Sequence, residues 1–140
     1  MLETPDGGTA RIDRDIVPLV RRLWGIGIRL RASCQNFGES LHEVPSLAVP
    51  PGDHRWSGFY QDRVWLKLSS EHACRLVALL ASNDELRSYM REWGGADSWI
   101  CSRFIVPNAF GGDAVTSDDA HIFFPSTHLP VVICTLDEVG

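Results

Sequence analysis

The sequence predicts an α+β domain: an about four-stranded, mainly antiparallel sheet with helices packed on one face, carrying a pseudo-twofold duplication. Three observations predict it. IRLRAS (28–33) and VWLKL (64–68) alternate apolar with polar or charged side chains, as half-buried strands do. Ile16, Leu19, Val20, Leu23 and Trp24 recur at helical spacing. After Asn83 the order helix, strand, strand, helix starts over.

The first helix opens at Asp13 or Asp15, either of which can cap it, tolerates Pro18 near its start and stops at Gly25. The strands 28–33 and 64–68 follow, and SSEHACRLVALLA begins a second helix with Ser69 or Ser70 as cap and Ala73, Val77 and Leu80 inward. In the second half Asp84 caps a helix carrying Leu86, Met90 and Trp93 that ends at Gly94-Gly95. SWICSRFIVP (98–107) and AHIFF (120–124) read as strands, and Ser126 or Thr127 caps a last helix with Leu129, Val132, Ile133 and Leu136 on one side. The expected organisation is a flexible N-terminus (1–12) and one domain (13–140), divisible into halves 13–83 and 84–140.

The halves share details beyond their order. LWG at 23–25 matches EWG at 92–94, and VWLKLSSEHACRLVALL lies over HIFFPSTHLPVVICTL so that Leu68 meets Phe124, His72 meets His128 and Leu80 meets Leu136. They differ most between their strands. The first connection, a long loop over 34–62, holds SCQNFGE, the proline-rich VPSLAVPPGD and the aromatic RWSGFYQD, whereas the second runs only from Asn108 to Asp119. Loops of such length are commonly functional.

Composition narrows the function. A chain of 140 residues with net charge −5 can bury its own core but offers no broadly basic face for nucleic acid. Twelve of its 13 basic residues are Arg. No apolar run approaches the roughly 18 residues that span a bilayer, and the polar N-terminal segment lacks an apolar signal core, so a cytoplasmic protein is expected. Cys34, Cys74, Cys101 and Cys134 are scattered without CxxC pairs and read as free thiols in a reducing compartment.

The polar cluster at the end of the first strand is the predicted site. Ser33, Gln35 and Asn36 would hydrogen-bond a ligand or partner, Arg31 would take a negative group, Cys34 lies among them, and Trp56 and Tyr60 of the long loop would add contact area. Arg29, Arg31 and Arg63 around that strand end would suit a phosphate or carboxylate, although no glycine-rich phosphate loop is present. Cys34 is also a weak candidate nucleophile, with His42 or His54 as base, and no spacing matches a cysteine-hydrolase signature. Cys34, His42, Asp53 and His54 lack the paired short spacing of a zinc site, so neither metal nor cofactor is expected. His72 and His128, each in the first turn of a helix, read as solvated or capping histidines.

DRDIVPLVRRLWGIGIRLRASCQNFGE and VWLKLSSEHACRLVALL resemble a set of small uncharacterised proteins of high-GC bacteria and their phages. In these a helix ending in Leu-Trp leads through a glycine turn to a strand running into Ser-Cys-Gln. Ser33-Cys34 is also similar to the Ser-Cys-Ser-Gly motif of the wybutosine-synthesis tRNA methyltransferase family, with Gln35 and Asn36 in place of Ser-Gly. The expectation is a small binding or interaction protein that takes a protein partner or a small anionic ligand. Its alternatives are an enzyme using Cys34 as a reactive thiol on a nucleotide or modified base, and a phage-type inhibitor that binds a host protein complex.

Overall fold

A computed structural model describes residues 2–34, 62–92 and 94–139. The N-terminal residues, expected to be flexible, form a small hairpin of β1 (Leu2–Glu3) and β2 (Thr9–Ala10). A 3-10 turn, Arg14–Ile16, with Asp13 at its N-cap position, leads into α1 (Val17–Gly25), which starts with a proline in its first turn. Strands β3 (Leu30–Cys34) and β4 (Arg63–Ser69) follow, then α2 (Ser70–Leu80). The second half contributes α3 (Asp84–Met90), β5 (Ile100–Val106), β6 (Val115–Pro125), a 3-10 turn at Ser126–His128 and α4 (Leu129–Val139).

The strands form one antiparallel sheet in the order β3-β4-β6-β5, so the α+β class, the four-stranded sheet and the doubled order all stand. Val64, Leu66 and Leu68 of β4 and Ala120, Ile122 and Phe124 of β6 point to one face. There they pack with Leu19, Val20 and Leu23 of α1, Leu76 and Leu80 of α2, Leu86 of α3, and Val132 and Leu136 of α4. Each of these is withdrawn from water, and burying one such aliphatic side chain stabilises the fold by about 1.5–3 kcal/mol.

The duplication is geometrically real. The alignment that lays Leu68 on Phe124 also lays Leu66 on Ile122, and these two residues are direct partners across β4 and β6. A twofold axis through that pair exchanges the halves. Two histidines repeat as well. His72 Nδ1 accepts a bond from the Arg29 backbone N–H at 3.0 Å, and His128 Nδ1 accepts one from Trp99 Nε1 at 2.9 Å. Arg29 and Trp99 each stand immediately before the first strand of their half. The histidines read as solvated or capping thus tie each half's second helix to its first strand.

Several boundaries move. Ser69 caps α2 by accepting from the His72 N–H, but α3 is capped by Asn83, whose side chain accepts from the Leu86 N–H, and not by Asp84. Helix α3 stops at Met90, ahead of the glycine pair expected to end it. The last helix starts at Leu129 because Ser126–His128 winds as a 3-10 turn after Pro125. Within α2 the inward position between Ala73 and Leu80 is Leu76, with Val77 only partly buried. The largest difference is β6, which begins at Val115, inside the stretch expected to be a connection.

Candidate interaction surface

Among the predicted site residues, Gln35, Asn36, His42, His54, Trp56 and Tyr60, together with Asp53, lie outside the described residues. Arg31, Ser33 and Cys34 are described. Arg31 is the extra residue of a bulge in β3, since Leu30 pairs with Leu68 and Ala32 with Lys67. Its guanidinium reaches across the end of β4 to Asp119 and, at 3.5 Å, to Asp118. Lys67 adds a fourth charge, 3.6 Å from Asp119. Arg31 and Ser33 line a cavity of about 720 Å³ shared with Arg29 and the N-terminal hairpin. That cavity also holds Asp6, whose carboxyl is kept below its usual range by a hydrogen bond from the Thr4 hydroxyl and another from the Gly8 amide. Its lining sets three arginines, Arg11, Arg29 and Arg31, against that one carboxylate.

The third arginine of the predicted anion cluster does other work. Arg63 is buried, and its guanidinium donates to the Ser98 carbonyl at 2.6 Å and the Ala96 carbonyl at 3.3 Å, anchoring the approach to β5. Cys34 is 6% exposed, while Cys74, Cys101 and Cys134 are all exposed. Cys101 nonetheless sits against enough packed atoms that desolvation pushes its thiol up to about 11. Among the described residues no group of three or more His, Cys, Asp or Glu is placed to hold a metal ion.

The sheet face opposite the helices is aromatic. Trp65 Nε1 donates to His121 Nδ1 at 3.0 Å, with the two rings stacked at 5.9 Å, and Phe104 tilts over His121 at 4.5 Å. His121 and Phe123 are buried there. Desolvation, aided by the nearby Lys67 charge, lowers the His121 pKa, so the ring is neutral and accepts at Nδ1. A comparable cluster closes the other end of β5, where the buried Trp99 stacks on Phe124 and His128 stacks on Tyr89 at 4.2 Å. His128 Nε2 lies 3.2 Å from Asp97. The Tyr89 hydroxyl donates to Glu85 at 2.8 Å, which raises its pKa.

The exposed apolar surface lies where the sequence pointed to none. Strand β4 ends opposite Asp119, but β6 starts four residues earlier and pairs with β5 alone, through Val115↔Val106 and Thr116↔Ile105. This two-stranded arm projects past the sheet. Phe104 is 56% exposed, Ile105 77% and Phe110 99%, with Val106 and Val115 also open to solvent. Gly111 and Gly112, at φ of 86° and 88°, make the turn behind Phe110 in a conformation other residues rarely adopt. The signal was present in the sequence as three consecutive apolar residues, FIV (104–106), at a strand end where alternation would have put one of them inside.

No family model, no curated protein and no solved structure matches the chain. No helix among the described residues is long and apolar enough to cross a membrane.

Proposed function

We propose that the chain is a binding protein whose partner is another protein, engaged at the β5 edge and the β5–β6 arm. The observation that supports this reading is the arm itself. Phe104, Ile105, Val106, Phe110 and Val115 are all open to solvent along this arm, and clusters of exposed large apolar side chains mark interaction sites. They stand beside β5, which among the described residues is an edge strand of the sheet. The opposite edge, β3, carries Arg31 at a bulge. Binding through the first strand's end is the weaker reading, because Arg31 is matched by Asp118 and Asp119.

A photoreactive residue placed at position 110 is expected to cross-link one discrete partner in extract, while the same group at the exposed Glu71 does not. Ile105→Asp with Phe110→Ser should abolish that product and Cys34→Ser should leave it intact. Retention in the arm variant, or loss in Cys34→Ser with the arm intact, would overturn the assignment.

A further inference from the structure

The N-terminal hairpin walls the cavity of about 720 Å³ that it shares with Trp24 of α1 and with β3. Thr4-Pro5-Asp6-Gly7-Gly8 makes its turn. The Thr4 N–H donates to the Gly8 carbonyl at 2.8 Å, the Gly7 N–H donates to the Thr4 carbonyl at 3.0 Å, and Gly7 adopts a φ of 88°. Directly after β2 comes Arg11, and Ile12 beside it packs against the core, which sets where that arginine stands. On the sheet side Arg29 has its backbone fixed by the N–H bond to His72. Arg11 and Arg29 thus line one cavity from its two walls.

The three arginines of the lining are not equivalent. Arg31 belongs to a balanced group of two cations and two carboxylates, with Lys67, Asp118 and Asp119. Neither Arg11 nor Arg29 forms an ion pair among the described residues. Asp6, the one carboxylate of the lining, spends its contacts inside its own turn, on the Thr4 hydroxyl and the Gly8 amide. Two guanidinium forks without a counter-ion therefore line a single cavity, in a chain whose net charge is −5.

What these forks suit follows from their number. A carboxylate has two oxygens and is satisfied by one bidentate arginine. A phosphate monoester has three terminal oxygens and close to two charges, so it can take both forks at once. Thr9 and Ser33 bring hydroxyl groups to the same lining. The remaining wall is apolar, since Trp24 and Leu30 line it and are partly buried against the core. A cavity of this size, mostly apolar and with a few polar groups to fix orientation, is what a small organic ligand needs.

We propose that this cavity binds a small phosphate monoester with a flat apolar body, the phosphate between Arg11 and Arg29 and the body against Trp24 and Leu30. The site goes beyond the protein-partner reading and is separate from the arm, because β3 and β5 are the two outer strands of the sheet.

The probe is phenyl phosphate, titrated into the full chain and followed by phosphorus and amide NMR. Saturable binding is expected, at least about tenfold tighter than that of inorganic phosphate, which lacks the ring, or of benzoate, which lacks the third oxygen. Arg11→Gln and Arg29→Gln, both at exposed positions, should each weaken it at least about fivefold. Arg91→Gln removes the same charge from an exposed position outside the cavity and should change binding less than about twofold. Absence of saturation, or equal weakening by Arg91→Gln, would overturn the proposal. So would benzoate or inorganic phosphate binding as tightly as phenyl phosphate.

Discussion

His121 shows how one side chain's chemistry follows from its neighbours. Its Nδ1 must be unprotonated to accept the Trp65 indole N–H, and burial together with Lys67 favours that neutral form. A histidine whose folded pKa is lowered binds fewer protons folded than unfolded. The stability it contributes is therefore complete above the ordinary value near 6.5 and falls as pH drops below it toward the folded value. Urea unfolding of the native protein should lose more stability between about pH 7.5 and pH 5 than His121→Gln does over the same interval. Identical pH slopes for the two proteins would remove His121 from this role. At this scale the sequence was only partly readable. It marked both His72 and His128 in first turns, but an acceptor bond to Arg29 or Trp99 depends on a strand start 43 or 29 residues away, which no local pattern announces.

At the scale of elements, periodicity located every main helix and strand, and the errors fall at the ends, where caps compete. Asn83 and Asp84 are both good cap residues, and Asn83 prevails because the turn from Ala81 puts its side chain within reach of the Leu86 N–H at 3.1 Å. Asn83→Ala should therefore cost about 1 kcal/mol in chemical unfolding, as should Ser69→Ala, while Asp84→Ala should cost less than half as much. A larger loss at Asp84 than at Asn83 would contradict the assigned cap. The start of β6 escaped the sequence for a different reason. Val115–Asp119 carries two acidic residues and reads as a loop, yet the backbone pairs with β5, and Asp118 and Asp119 are held by Arg31, the Ser70 hydroxyl and Lys67. The exposed arm was missed with it, since a connection was expected where a strand extends.

For the whole molecule, the twofold axis makes a quantitative statement. Leu66 and Ile122 are paired on the axis, each at most 1% exposed, and pack into one core. Truncating either to Ala should cost about 3 kcal/mol, within about 1 kcal/mol of the other, and the double variant should depart from additivity because the two share one cavity. A large disparity measured by denaturant unfolding would mean that the halves carry the core unequally. The duplication was legible in the sequence as a doubled order and a matched histidine.

The same symmetry leaves the two halves unequal in time. Strands β5 and β6 are joined by a short turn between Val106 and Val115, so their pairing closes a small loop, whereas joining β3 to β4 must bring together Cys34 and Arg63 across a much longer stretch of chain. Loop closure has to be paid in entropy before contacts repay it, and the central β4–β6 pairing follows only when both halves are present. The second half is thereby the natural nucleus and the first half the part that joins it. The hairpin whose outer end stands bare in the finished protein is then the first stretch of sheet in existence while the rest of the chain is still finding its place.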